Sequence, residues 1–217
     1  MEISMLYTQN EKYWAKRPIT DAKVDWNYSE ADWIQGYMKS VNHPHRQVIL
    51  DALEILEPFE SLIEVGCSTG PNLYCIGTKY NEVKLHGIDI NPHVVAEAQK
   101  WKKRNTKIYL GSISKIDAPD KSYDILLSDA VMLYVGKVSI RKVLNEFERV
   151  TKKGMIFVEW FDESLQGVIK DFHWARNYPK LLEEIGFKTV CHRKLTKEEW
   201  PTPKWYKHGC ITVARKV

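Results

Sequence analysis

Apolar positions along this chain change period several times, and each change marks an element. Between residues 44 and 57 the apolar positions Val48, Ile49, Leu50, Leu53, Ile55 and Leu56 cluster at helical spacing, which predicts an amphipathic helix. Leu62-Ile63-Glu64-Val65 is a short apolar run of the length expected for a buried strand over 61–65. Two glycines bracket Cys67-Ser68-Thr69, and Pro71 stands where the first turn of a helix accepts proline. Helix is expected over 71–80, strand over 84–89, helix over 92–104 behind Pro92, and a short strand over 107–110. The alternation continues with strand 123–128, helix 138–150, strand 154–160 and helix 175–185. Two closing strands, 187–193 and 209–215, have no helical pattern between them. Strands alternating with helices at this spacing predict an α/β protein with a mostly parallel sheet and helices on both faces. The closing pair predicts an antiparallel edge hairpin.

Composition narrows this picture. A chain of 217 residues, 44% of them hydrophobic, suits one domain with a sizeable core. No apolar run approaches the roughly 18 residues of a membrane span. Met1-Glu2-Ile3-Ser4 has no basic stretch followed by an apolar one, so no signal peptide is expected. Cys67, Cys75, Cys191 and Cys210 form no C-x-x-C pair, which fits reduced thiols and a cytoplasmic location. The net charge of +4 is mild and calls for no nucleic-acid partner; Lys100-Trp101-Lys102-Lys103-Arg104 reads as a solvated helix end. No His, Asp, Glu and Cys cluster has metal-ligand spacing, so no metal is expected. Residues 1–43 carry Tyr7, Tyr13, Trp14, Trp26, Tyr28, Trp33 and Tyr37, an aromatic extension or lid ahead of a domain over 44–217.

The chemistry concentrates at the first strand end. A glycine turn lets backbone approach a ligand closely, and Asp89, 19 residues after Gly70, ends the second strand where it can accept hydrogen bonds from ribose hydroxyls. Glu64 is unusual, because a carboxylate inside a buried strand needs a partner. A cationic nucleoside would supply one. With Glu64, Gly66, Gly70 and Asp89 in these places, the chain resembles the class I S-adenosylmethionine-dependent methyltransferases, although Ser68 replaces the middle glycine of their turn.

The resemblance covers roughly 44–217. It implies a Rossmann-like three-layer sandwich with a seven-stranded sheet whose last strand is inserted antiparallel. It implies S-adenosylmethionine as the methyl donor, and cofactor contacts from Glu64, Gly66, Cys67, Ser68, Gly70, Asn72 and Leu73. It assigns the ribose to Asp89, the adenine face to Ile90, and the adenine edge to Ser112 and Ile113, where many relatives carry an acid. Ser128-Asp129-Ala130-Val131 resembles the fourth motif, so Asp129 and Ala130 are expected beside the methyl group. Tyr13 and Arg17, or alternatively His43-Pro44-His45-Arg46, are candidates to touch the methionine carboxylate; equally, these residues could simply cover the sheet. The helix opening at Pro71 aims its N-terminus at the turn, which favours a carboxylate.

Methyl transfer needs positioning first and a base only for some acceptors. Base candidates are Asp129, Tyr134, Glu159 and His173, with His208 behind them. Trp200, Pro201, Pro203, Trp205 and Tyr206 suggest an aromatic wall to the acceptor pocket. The absence of D-P-P-Y or N-P-P-Y at the fourth motif argues against base-amino methylation, and a small-molecule acceptor is expected; a protein, peptide or RNA acceptor stays open, as does a non-catalytic binding module. The methylated atom and the oligomeric state are not encoded in any motif. Two rivals remain. Gly66-Cys67-Ser68-Thr69-Gly70 matches the G-x-S-x-G of serine hydrolases, but only one helix and an aromatic lead precede it. A nicotinamide-dependent reductase would need a G-x-G-x-x-G that is missing here.

Overall fold

In a computed structural model, residues 11–17, 33–163, 167–170 (backbone only) and 173–217 are described. Of the lead aromatics, Tyr7, Trp26 and Tyr28 lie outside them, as does the Trp33 side chain. Residues 11–16 form helix α1, Trp33–Lys39 α2 and His45–Ile55 α3. The sheet is built from β1 (Ser61–Val65), β2 (Lys84–Asp89), β3 (Thr106–Leu110), β4 (Tyr123–Asp129), β5 (Thr151–Trp160), β8 (Phe187–Lys194) and β9 (Gly209–Lys216). Between them run α4 (Pro71–Lys79), α5 (Pro92–Trp101), α6 (Ile140–Val150), α7 (Tyr178–Glu183) and α8 (Pro203–His208). A separate small hairpin pairs β6 (Gly167–Lys170) with β7 (His173–Ala175).

The strand order is β3-β2-β1-β4-β5-β9-β8. The first five strands are parallel, and β9 enters antiparallel between β5 and β8. The mostly parallel sheet is the one expected from the alternation, and its seven strands, closed by an antiparallel pair, make the Rossmann-like sandwich that the resemblance implies. Each face has its own apolar layer. Ile49 and Leu53 of α3, Leu73 and Ile76 of α4 and Val95 of α5 pack with Leu62, Ile125 and Ile156 on one side. Val143, Leu144 and Phe147 of α6 and Leu182 of α7 pack with Ile63, Leu126 and Met155 on the other. Adjacent strand positions supply opposite faces, as the pleat requires.

Boundaries moved where tertiary pairing or capping outweighed periodicity. The helix expected from 175 starts at Tyr178, because 173–175 pair with β6 and the Asn177 side chain caps the helix by accepting from Lys180 N. β5 begins at Thr151, three residues early, because it pairs with Tyr123 there. Helix α8 and the 3-10 turn Met132–Tyr134 fall in segments expected to be loops. No described helix is long and apolar enough to cross a membrane.

Candidate active site

The turn after β1 is built from three residues in the left-handed region: Gly66 (φ 66°), Ser68 (φ 49°) and Gly70 (φ 81°). Cys67 N donates to Ile88 O at 2.9 Å, so the turn is stitched to β2. Ser68 N donates to Asp89 Oδ2 at 2.8 Å, and Asn91 N donates to Asp89 Oδ1 at 2.9 Å. Asp89 thereby fixes two strand-end turns relative to each other. Each of its oxygens keeps a second lone pair for a ligand hydroxyl. Burial pushes its carboxyl pKa up, against these amides.

A buried polar cluster lies beside the turn, contributed by β1, β4 and the N-termini of α3 and α4. Asn72 Nδ2 donates to Glu64 Oε1 at 2.6 Å and to Asp129 Oδ2 at 2.9 Å. Arg46 Nη1 donates to Asn72 Oδ1 at 2.6 Å and to Asp129 Oδ2 at 2.9 Å, while its other nitrogens bond Ser40. His45 Nε2 lies 3.0 Å from Asp129 Oδ2. Burial works against the Asp129 charge, but His45, Arg46 and Asn72 outweigh it and hold the carboxyl well below the usual range. Arg46 is the permanent cation of this group, since burial disfavours a charge on His45. Glu64 has less support: burial pushes it up to about 8, with Asn72 opposing.

Two acceptor oxygens of this cluster, Glu64 Oε2 and Asp129 Oδ1, are buried without a hydrogen-bond partner. Such atoms are costly unless a donor arrives. Both residues line one cavity of about 620 Å³ that also runs past Asp89 to Ser112. An ammonium, a ribose and a planar base are matched in turn by the orphaned oxygens, by Asp89 and by the apolar Ile90, Val94 and Ile113. The residues therefore fit S-adenosylmethionine.

The loop after β4 is held from below. Glu159, 1% exposed, accepts from Ser128 Oγ, Val131 N and Met132 N through Oε1 and from Leu133 N through Oε2. Burial pushes its carboxyl up to about 7 against these donors. Arg176, 2% exposed, donates to the carbonyls of Met132 and Val135. Glu159→Ala would strand three amides and a hydroxyl in a dry interior, so it should cost about 3 kcal/mol or more in urea unfolding. An unchanged midpoint would disprove the clamp.

Of the residues singled out from sequence, Glu64, Gly66, Cys67, Ser68, Asn72, Asp89, Ile90, Ser112, Ile113, Asp129, Ala130 and Tyr134 all line the cavity. Gly70 shapes the turn without lining it, and Leu73 is a core residue of α4. Glu159 does not reach the cavity, because its oxygens are spent on the loop above. His173 is in β7, 5.0 Å from Tyr134 ring to ring, and His208 packs on Trp160; neither lines the cavity. Tyr13 is 48% exposed, and the Arg17 guanidinium lies over the Trp14 ring at 5.0 Å. Of the two alternative segments, Trp14 of the first and His43, His45 and Arg46 of the second are on the cavity wall, along with Trp200 and Pro201 of the expected aromatic wall. Glu11 and Ser40 were missed. Glu11 and Trp14 are three apart on α1, so helical spacing was the signal available.

The comparisons agree with this geometry. A family model described as "Methyltransferase domain" matches residues 62–154. A curated relative, malonyl-[acyl-carrier protein] O-methyltransferase of Paenibacillus sp. (strain JDR-2), is 21% identical over 170 residues, covering 66% of this chain and 61% of the relative. The alignment thus spans about three fifths of that protein's length. Among solved structures, geranyl diphosphate C-methyltransferase of Streptomyces coelicolor A3(2), in complex with Mg2+, geranyl diphosphate and S-adenosyl-L-homocysteine, superposes with a TM-score of 0.69 at 11% identity, covering 98% of each chain. Magnesium protoporphyrin IX methyltransferase of Synechocystis PCC 6803, with bound S-adenosylmethionine, gives a TM-score of 0.67 at 14% identity, covering 97% of each chain.

Proposed function

From the premise that this chain carries a class I S-adenosylmethionine-dependent methyltransferase domain, we propose that it transfers a methyl group to a small-molecule acceptor. The observation that carries the reading is the pair of unpartnered carboxylate oxygens, Glu64 Oε2 and Asp129 Oδ1, beside the glycine turn. They take the ammonium of the methionine tail. Asp89 takes the ribose hydroxyls, and Ile90 and Ile113 flank the adenine. When bound, S-adenosylmethionine supplies an electrophilic methyl group on sulfonium sulfur. The protein's part is orientation and the exclusion of water.

The acceptor enters where His43, Tyr37, Trp200 and Thr202 wall the cavity. A half-open cavity of about 620 Å³ with an aromatic side suits a small molecule better than a folded protein or a nucleic-acid strand. Trp200 stacks on His45 at 4.0 Å and on Trp205 at 3.8 Å, which makes this wall rigid. Of the base candidates, Asp129 and Tyr134 reach the cavity. Burial keeps the Tyr134 phenol protonated, and Asp129 is held far below neutrality, so both orient rather than abstract a proton. The named relatives act on a carrier-bound malonyl group, a prenyl diphosphate and a porphyrin, and a shared fold does not choose among them. The hydrolase alternative loses its chemistry here: Ser68 Oγ is buried with no hydrogen-bond partner among the described residues, so no histidine activates it.

Calorimetry with S-adenosylhomocysteine tests the reading, with NADH as control. Micromolar affinity is expected for the wild type, with a loss of about tenfold or more in Asp89→Ala, which removes ribose hydrogen bonds to a charged group. Binding of NADH in place of S-adenosylhomocysteine would replace the proposal with a reductase. A labelled methyl donor then screens for the acceptor.

A further inference from the structure

We propose that Glu11, carried on α1, reads the exocyclic amino group of the adenine and so supplies the carboxylate that the strand end after β3 lacks. The inference rests on the cofactor reading above. The cavity crosses the strand ends in the order β4 and β1, then β2, then β3. With the ammonium at Glu64 and the ribose at Asp89, the base must lie beyond β2, against Gly111-Ser112-Ile113. The walls there are aliphatic and suit the ring faces, but they offer no acidic side chain from β3 or its loop. Glu11 is the carboxylate that reaches this end. Ser112 Oγ donates to Glu11 Oε1 at 2.8 Å, and both residues line the cavity. The serine hydroxyl has therefore committed its hydrogen to Glu11. A carboxylate accepts at about four lone-pair positions, so Glu11 retains capacity for an N–H donor of the ligand.

The segment bearing Glu11 is fastened at this spot. Asn91, 1% exposed, donates through Nδ2 to Trp14 O at 2.9 Å and to Arg17 O at 3.1 Å. These carbonyls lie at the C-terminal end of α1, where backbone acceptors lack helical partners. The same side chain accepts from His93 N and Val94 N through Oδ1 and so caps α5. One buried amide thus ties α1 to the helix that follows Asp89. Trp14 packs edge-on against Tyr134 at 4.9 Å, and Glu11 stands one turn earlier on the same side.

Calorimetry of the full chain with S-adenosylhomocysteine and with S-inosylhomocysteine, where a carbonyl oxygen replaces the amino group, tests the assignment. The wild type should prefer the adenine compound by about tenfold or more, the range for a hydrogen bond to a charged acceptor. Glu11→Gln should bind S-adenosylhomocysteine about tenfold more weakly and shift its preference toward the inosine compound, because an amide can donate to the carbonyl. Ser112→Ala, which removes the anchor of Glu11, should produce a smaller shift in the same ratio. A helix that merely covered the site would change both affinities together and leave the ratio fixed. An unchanged ratio in a folded Glu11→Gln protein, checked by its melting curve, overturns the role of Glu11 while the cofactor reading stands. No binding of S-adenosylhomocysteine by folded wild type overturns both.

Discussion

Glu64→Gln should weaken S-adenosylhomocysteine binding about a hundredfold at pH 8 and yet raise the melting temperature of the ligand-free protein. Both effects come from one buried carboxylate. Without ligand, Glu64 is 2% exposed and its Oε2 has no partner, so burial pushes it up to about 8. In the unfolded chain it ionises near 4.5. A raised pKa means that the folded state holds a proton the unfolded state has lost. The stability present below pH 4.5 therefore falls as pH rises and is fully lost by about pH 8. At about 1.36 kcal/mol per unit, the burden reaches at most about 5 kcal/mol. Gln removes it while its carbonyl still accepts from Asn72. Binding has the opposite sign. The ligand's ammonium needs the ionised carboxylate, so wild-type affinity should drop by up to about tenfold for each pH unit below 8, with proton release seen as buffer-dependent enthalpy. Asp129 contributes no slope in this window, because its carboxyl stays ionised. In Glu64→Gln the profile should be flat. Equal melting temperatures of the two proteins at pH 8, or a wild-type affinity independent of pH, would refute the account.

That a strained carboxylate sits there was legible in the sequence, because Glu64 interrupts an apolar run and is followed by glycines at 66 and 70. The sheet was legible for the same reason: strands of five to ten residues alternate with proline-opened helices, and β1 and β2 fall on the residues expected for them. Less legible were features set by partners remote in sequence. The His45 and Arg46 contacts to Asp129 join residues 84 and 83 positions apart, and no local pattern encodes them. Glu159 looked like a base because it ends a strand, as ligand-facing acids do. The amides of 131–133 folded over it and consumed its oxygens. Ser112 stands at the adenine edge where many relatives carry an acid, and α1 brings the Glu11 carboxylate to its hydroxyl from a segment about a hundred residues away in sequence.

The largest loss of fold and function together is expected from Gly66→Ala. A Cβ at this position would stand 2.4 Å from Val131 Cγ2 and 3.0 Å from Cγ1, far inside contact distance. Val131 cannot easily withdraw, since its amide is held by Glu159 at 2.9 Å and the turn behind it by Arg176. The backbone itself resists too, because at φ 66° an L side chain costs roughly 1–2 kcal/mol. Clash and conformation together should cost about 3 kcal/mol or more, and the displaced loop continues directly from Asp129 at the end of β4, so cofactor binding should vanish as well. Gly70→Ala is the control for conformation alone. It shares the left-handed backbone at φ 81°, but its Cβ would meet only the terminal methyl of Ile108 closely, Cδ1 at 3.3 Å, which a shift of a few tenths of an ångström relieves. It should lose only about 1–2 kcal/mol. The double variant Gly66→Ala/Val131→Ala separates the two terms. Removing the valine methyls should recover about 1–2 kcal/mol of the Gly66→Ala loss, a positive coupling for residues in contact. Urea unfolding of the wild type, Gly66→Ala, Val131→Ala and the double variant measures this directly. Strict additivity would mean that the glycine is required for its backbone alone, and that the motif turn and the loop after β4 are not packed against each other as the 2.4 Å approach requires.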